Sequence, residues 1–201
     1  MRFQNLTSPG GNNAGPEFLT GHAFEAEIGV ETPRVASGID MDEDWAVKIS
    51  ELMSPATINL KLTSNDRDAV LFELVNQIPE LAKEPQAKDT LLKALHEREQ
   101  LHSTGIGDGI ALPHTRNALV GLVDHPIIVF ARHAEGIAYG AIDDVPAKLF
   151  FLLIAPTVTQ HLAILARLSR LLRDARLRKS LLAADKPAKV ISLLKDAEEK
   201  M

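Results

Sequence analysis

The sequence predicts an α/β or mixed α+β layered fold, with strand-like and helix-like segments interleaved over about 155 residues. Two observations carry this. Two short, uninterrupted apolar runs, Pro126 to Ala131 and Leu149 to Ala155, are rich in β-branched and aromatic residues, as strands buried on both faces are. Elsewhere, apolar residues recur at helical spacing in several separate stretches. With 201 residues, 45% hydrophobic and 24% charged, the chain holds enough apolar material for one domain with a substantial core. Two full domains would be cramped.

Residues 1 to 44 stand apart. Pro9, Gly10, Gly11, Gly15, Pro16, Gly29, Pro33 and Gly38 interrupt them, and no helical or strand period is sustained. They read as a flexible N-terminal arm, with residues 45–201 as a single domain. Within that domain Ile58, Leu60 and Leu62 alternate with polar neighbours as a strand does. Ser64 and Asn65 are cap-forming residues ahead of a helix marked by Val70, Leu71, Leu74, Val75 and Ile78 and ended by Pro79. A second helix is expected from Gln86 to Glu99, with Ala87, Leu91, Ala94 and Leu95 on one stripe that Arg98 continues. From His102 to Thr115 the helical pattern stops, and Gly105, Gly107 and Gly109 require a tight turn or a close approach. The two buried strands follow, separated by a turn at residues 142–146, and the remainder reads as helical, beginning with Thr159 to Arg173.

The formal charge of −5 and the scattered Lys and Arg argue against nucleic acid, whose binding needs concentrated positive charge. No stretch approaches the ~18 consecutive apolar residues of a membrane span, so no membrane insertion is expected. The absence of cysteine removes disulfides and thiolate metal sites and fits a reducing compartment, and the N-terminus lacks the apolar core of a secretory signal; a cytoplasmic location is expected. The glycine run lacks the Gly-Lys-Ser/Thr of a phosphate-binding loop and the helix that follows a dinucleotide fingerprint. His102, His125 and His133, with His114, show no metal-ligand spacing. No cofactor is therefore expected. The basic run Arg167, Arg170, Arg173, Arg176, Arg178 and Lys179 spreads over several helix faces and reads as solvated surface.

Three residues invite chemistry. His114 follows Pro113 and the glycine turn, a rigid mount suited to a nucleophile, and neutral imidazole can attack through one nitrogen while the other holds a proton. Position alone equally fits an ordinary surface or core histidine. His161 shares an apolar helical face with Leu165, Leu168 and Leu172, where it either meets a backbone carbonyl in the core or serves a site. Arg98, at the end of its own stripe, either snorkels to solvent or turns its guanidinium inward. A rigid histidine with two inward-pointing groups that favour phosphate is more specific than any one of them.

These residues also lie in a recognisable order: Glu97-Arg98-Glu99, then Ser103-Thr104-Gly105-Ile106-Gly107, then Gly109-Ile110-Ala111-Leu112-Pro113-His114, and later Thr159-Gln160-His161-Leu162. The set resembles, from about Ile49 to Ala197, the IIA component of the bacterial sugar phosphotransferase system, fructose/mannitol type, including the stand-alone nitrogen-regulatory IIA proteins. The resemblance implies a central mixed β-sheet flanked by helices on both sides. It implies that His114 is the phosphorylated histidine, His161 a second active-site histidine and Arg98 the arginine beside the phosphate, with Ser103 and Thr104 supporting the phosphate; Thr115 either supports it through its hydroxyl or crowds it. The implied role is a phosphocarrier or phospho-switch charged by an HPr-like phosphocarrier protein, serving a IIB component or a regulated transporter or kinase, without metal or nucleotide. A non-catalytic regulatory module of the same fold is the alternative. Such proteins usually carry glycine directly after the active histidine; this chain has Thr115, then Arg116.

Overall fold

A computed structural model describes residues 47–119 and 121–201. The expected arm over residues 1–44, and Trp45 with it, lies outside the described residues. The chain runs β1 (Ile58–Asn59), α1 (Arg67–Asn76), α2 (Pro85–Leu101), β2 (Gly105–Gly107), β3 (Ile110–Ala111), β4 (Ile127–Ile137), β5 (Ala147–Ile154), α3 (Val158–Leu171), α4 (Ala175–Ala183) and α5 (Pro187–Glu198), with short 3₁₀ turns at Ile49–Leu52, Pro55–Thr57 and Pro79–Leu81. The strands form one sheet in the order β1-β4-β5-β3-β2. It is mixed: β4 and β5 pair antiparallel at the centre, as do β2 and β3 at one edge, while β1 joins β4 and β3 joins β5 in parallel.

Strand side chains alternate between faces, so the central pair feeds two cores. Ile127, Val129, Ala131, Phe150, Leu152 and Ile154 pack with Val70, Leu71 and Leu74 of α1 and Leu91 and Leu95 of α2. Ile128, Phe130, Leu149, Phe151 and Leu153 pack on the other side with Ile164 and Leu168 of α3, Leu181 of α4 and Val190 and Leu194 of α5. Helices therefore cover both faces, as the family resemblance implies. Each fully buried leucine or phenylalanine contributes about 1.5–3 kcal/mol, and the charged residues of these two strands, Arg132, Glu135 and Lys148, fall only where burial is incomplete.

Three local expectations need correction. The strand at residues 58–62 is only Ile58–Asn59. The Asn59 carboxamide turns the chain by accepting from the Lys61 N–H (2.9 Å), Leu62 donates to the Arg132 carbonyl (3.0 Å), and Leu62 joins the opposite core from Ile58. The cap of α1 is Asp66, whose carboxylate accepts from the Ala69 N–H at 2.8 Å, and not Ser64 or Asn65. Ser64 instead donates its hydroxyl (2.6 Å) and its N–H (3.1 Å) to Glu73 on α1. That helix ends at Asn76, and Pro79 opens the separate turn Pro79–Leu81. Pro85, whose fixed φ suits a first helical position, starts α2, and its buried stripe is Leu91, Leu95 and Glu99. Arg98 lies beside that stripe, half-buried.

Candidate functional site

Strands β2 and β3 make a hairpin whose turn places Gly107 (φ 90°), Asp108 (φ 54°) and Gly109 (φ 75°) in the left-handed region. Glycine occupies that region without a Cβ clash, which accounts for Gly107 and Gly109, while at Gly105 a Cβ would lie only 3.0 Å from that of Ala141. The Asp108 N–H is tied to the Asp143 carboxylate at 2.7 Å. Beyond β3 the chain stays extended along β5. Leu153 donates its N–H to the Pro113 carbonyl (2.9 Å), and His114 forms a parallel bridge with Leu153. The histidine is thus laid against the central sheet.

Both ring nitrogens of His114 have partners. Nδ1 lies 2.8 Å from the Leu112 carbonyl oxygen, which only accepts, so Nδ1 carries the proton and Nε2 keeps its lone pair. Arg98 donates to Nε2 from its Nε at 3.2 Å and to the His102 carbonyl from Nη1 at 2.8 Å. His161, on the first turn of α3, brings its ring centroid to 5.5 Å from that of His114, at an interplanar angle of 56°. It is only 5% exposed, and its Nδ1 finds no hydrogen-bond partner among the described residues. The structure therefore brings together His114, Arg98 and His161 from three separate stretches of sequence.

Burial pulls the pKa of His114 below its ordinary value and the Arg98 cation adds to that, with the Leu112 carbonyl opposing. Burial likewise lowers His161, and the neighbouring His114 charge lowers it further. Both rings are held towards their neutral forms. A neutral imidazole with one unprotonated nitrogen is the nucleophilic form once the Arg98 N–H that caps that nitrogen moves aside.

The three candidate phosphate-supporting hydroxyls point their protons elsewhere. Ser103 donates to the Tyr139 carbonyl (2.7 Å), Thr104 to the Glu99 carboxylate (2.5 Å) and Thr115 to the Asn117 carbonyl (2.7 Å). As arranged, they brace the loops around His114. Thr104 and Thr115 are also buried. Sequence reading missed Glu99, buried at 7% exposure; its place four residues after Leu95 on the α2 stripe was the available signal. The basic run also needs correction. Arg178 donates to the Leu172 (2.8 Å) and Arg173 (3.0 Å) carbonyls and pairs with Asp108 at 3.1 Å, while Arg167 pairs with buried Glu198 at 3.1 Å, so two of the six are structural. Of the remaining histidines, His125 lies 3.6 Å from Glu80, and Nδ1 of His133 accepts from the Gly136 N–H. Among the described residues no group of three or more His, Asp or Glu side chains is placed to hold a metal ion.

Apolar side chains are exposed on the two helices that carry His161 and Arg98. Val158 and Leu162 on α3 and Leu101 at the end of α2 are each more than half exposed. Arg98, Leu101, Thr115, Arg116 and Asn117 line a cleft beside the ring. The arrangement offers a nucleophilic nitrogen and an adjacent guanidinium suited to anionic oxygens.

Residues 51–197 match the family described as phosphoenolpyruvate-dependent sugar phosphotransferase system, EIIA 2. The chain is 35% identical over 150 residues to a fructose-specific EIIABC component of Bacillus subtilis; the match covers 74% of this chain and only 23% of that relative. It is 33% identical over 148 residues to a nitrogen regulatory protein of Bradyrhizobium diazoefficiens, covering 73% of this chain and 94% of the relative. Among solved structures, the nitrogen regulatory protein IIA-Ntr of Neisseria meningitidis superposes with a TM-score of 0.64 at 28% identity, covering 73% of this chain and 98% of that one.

Proposed function

Since the chain belongs to the EIIA 2 family of the phosphoenolpyruvate-dependent sugar phosphotransferase system, a family of phosphotransfer components, we propose that it accepts a phosphoryl group on Nε2 of His114 from an HPr-like phosphocarrier protein. It then either passes the group to a IIB component or uses it as a signal to a transporter or kinase. The observation that carries this reading is the Leu112 carbonyl on Nδ1, which favours the proton there and so supports Nε2 as the attacking atom.

In the transfer, the Nε2 lone pair forms the new N–P bond while the N–P bond of the donor breaks, its electron pair returning to the donor's imidazole. Charge is spread over the three equatorial oxygens of the moving group, so the site's task is alignment and charge compensation. Arg98 leaves Nε2 as the phosphorus arrives and turns its fork to the phosphoryl oxygens, still anchored through Nη1 on His102. His161, neutral and sheltered, offers a ring N–H to the same oxygens, an interaction that strengthens as the docked partner excludes water. Thr115 serves the site by fixing the exit of the chain towards Asn117.

The test is intact-mass measurement after incubation with phosphoenolpyruvate and the general donor proteins of the system. One added phosphoryl group is expected, absent in His114→Ala and present in His161→Ala at a lower rate. A label that maps to His161 or His102 defeats the assignment. A chain that takes no label yet still binds a transporter or kinase is instead a non-catalytic regulatory module.

A further inference from the structure

Both nitrogens of His114 are addressed by groups that hang on one short turn, residues 102–104. The His102 carbonyl anchors Nη1 of Arg98, whose Nε reaches Nε2. The Thr104 carbonyl accepts the Leu112 N–H at 3.0 Å, and the Leu112 carbonyl in turn faces Nδ1. What holds this turn is Glu99. Its buried carboxylate accepts the Thr104 N–H at 2.9 Å through one oxygen and the Thr104 hydroxyl through the other. Ser103, between them, is pinned to the Tyr139 carbonyl at 2.7 Å.

From this geometry we infer that Glu99 is a positioning residue for phosphoryl acceptance, setting both the tautomer of His114 and the reach of Arg98 through the turn it clamps. The inference rests on the phosphocarrier reading above. A buried carboxylate is costly unless its oxygens are satisfied. Here two donors come from one residue, Thr104, and the Arg67 guanidinium lies 3.8 Å away, so the group is held against a single point of the backbone. Fixing Thr104 fixes the height of Leu112, and with it the carbonyl that decides which His114 nitrogen keeps its proton. Because Arg98 and Glu99 are consecutive on the last turn of α2, the guanidinium and the clamp share one rigid base. Displacement of the turn would loosen the Nδ1 contact and the Arg98 anchor together.

The experiment uses the full chain labelled with nitrogen-15 and reads the His114 ring by NMR, beside phosphorylation kinetics with an HPr-like donor. In the unphosphorylated parent the ring should sit predominantly as the Nδ1–H tautomer. Glu99→Ala should shift the ring towards a mixture of tautomers and lower the maximal acceptance rate about 10- to 100-fold, as a misplacement on the order of 1 Å does, while the KM for the donor stays within about twofold. Glu99→Gln, whose amide keeps an acceptor for the Thr104 N–H and a polar group towards the hydroxyl, should recover most of both readouts. Thr104→Val, which removes only the hydroxyl, should fall between. A folded Glu99→Ala with the parental tautomer ratio, or with a shifted ratio and an unchanged rate, overturns the inference. If Glu99→Ala does not fold, Thr104→Val decides by the same two readouts. If the parent itself accepts no phosphoryl group, the phosphocarrier reading fails, and the tautomer measurement still decides whether Glu99 positions the ring.

Discussion

His114 titrates as part of a pair, and its neighbours set the direction. Because burial and the Arg98 charge lower its folded-state pKa, NMR titration of the free protein should find an apparent value below the ordinary histidine range, and Arg98→Ala should move it back upward. His161 is lowered by burial and by His114, so protonation of one ring delays the other and the two titrate as a coupled pair. Between the lowered folded values and the ordinary histidine value the unfolded chain binds more protons, so stability rises with pH across that window and is lost as pH falls through it. Thermal melts run from neutral to mildly acidic pH should show this loss, and it should shrink in a folded His114→Gln, in which one of the two titrating groups is gone. Arg98 makes a separate prediction. An ammonium cannot reproduce a fork spanning Nε2 and the His102 carbonyl, so Arg98→Lys should slow phosphoryl acceptance by about tenfold or more while changing the melting temperature little. At this scale the sequence was legible where a residue broke a pattern. His114 stood after a proline and a glycine turn, and Arg98 and His161 stood out against apolar neighbours. Glu99 carried the same signal, four residues after Leu95 on the α2 stripe, but an acidic residue near a helix end resembles an ordinary solvated terminus until its partner Thr104 is seen.

The entry into α1 shows why elements were easier to read than their ends. Ser64, Asn65 and Asp66 are three consecutive residues with cap chemistry, and no local rule ranks them. Ser64 is taken out of the choice because Glu73, about two turns along the helix from Asp66, claims its hydroxyl and N–H together with the Asn59 carboxamide and the Thr63 N–H. The Glu73 carboxylate is thereby the clasp between α1 and the chain leaving β1. Burial alone would raise its pKa, but the hydrogen bonds from Ser64, Thr63 and Asn59 together outweigh that and lower it. Its contribution is therefore present above the ordinary carboxylate range and lost as pH falls through the lowered value. Glu73→Ala should destabilise the protein by about 1.5–3 kcal/mol, the range for hydrogen bonds to a charged group, and Asp66→Ala by about 1 kcal/mol; chemical denaturation at neutral pH measures both. The helical periods of α1, α2 and α3 and the two apolar runs were readable because burial on one face or both imposes them. The short extent of β1 was not, since a single Asn59 side chain turning back on the Lys61 N–H ends it.

The sheet divides the protein into two cores, and the candidate site sits where the layers meet: Arg98 comes from α2 on one face, His161 from α3 on the other, and His114 from the strand extension between them. The layered class was readable from the alternation of elements, but this convergence was not, because strand order and crossovers leave no local mark in a single sequence. A chain starting near Asp44 should retain both cores, melt within about 5 °C of the full chain and accept a phosphoryl group on His114 at a similar rate. Loss of solubility or of acceptance would instead tie the preceding residues to the domain. The parallel pairing of β3 with β5 also fixes a sequence of events in time. During synthesis from the N-terminus, His114 emerges before the strand it is laid against, and before the helix that brings its companion ring. A nascent chain therefore exposes an imidazole without its mount, and competence arrives only after the C-terminal third has been made. A fragment ending at Pro156, which includes β5 but not α3, should remain uncharged by a donor that labels the full chain within minutes.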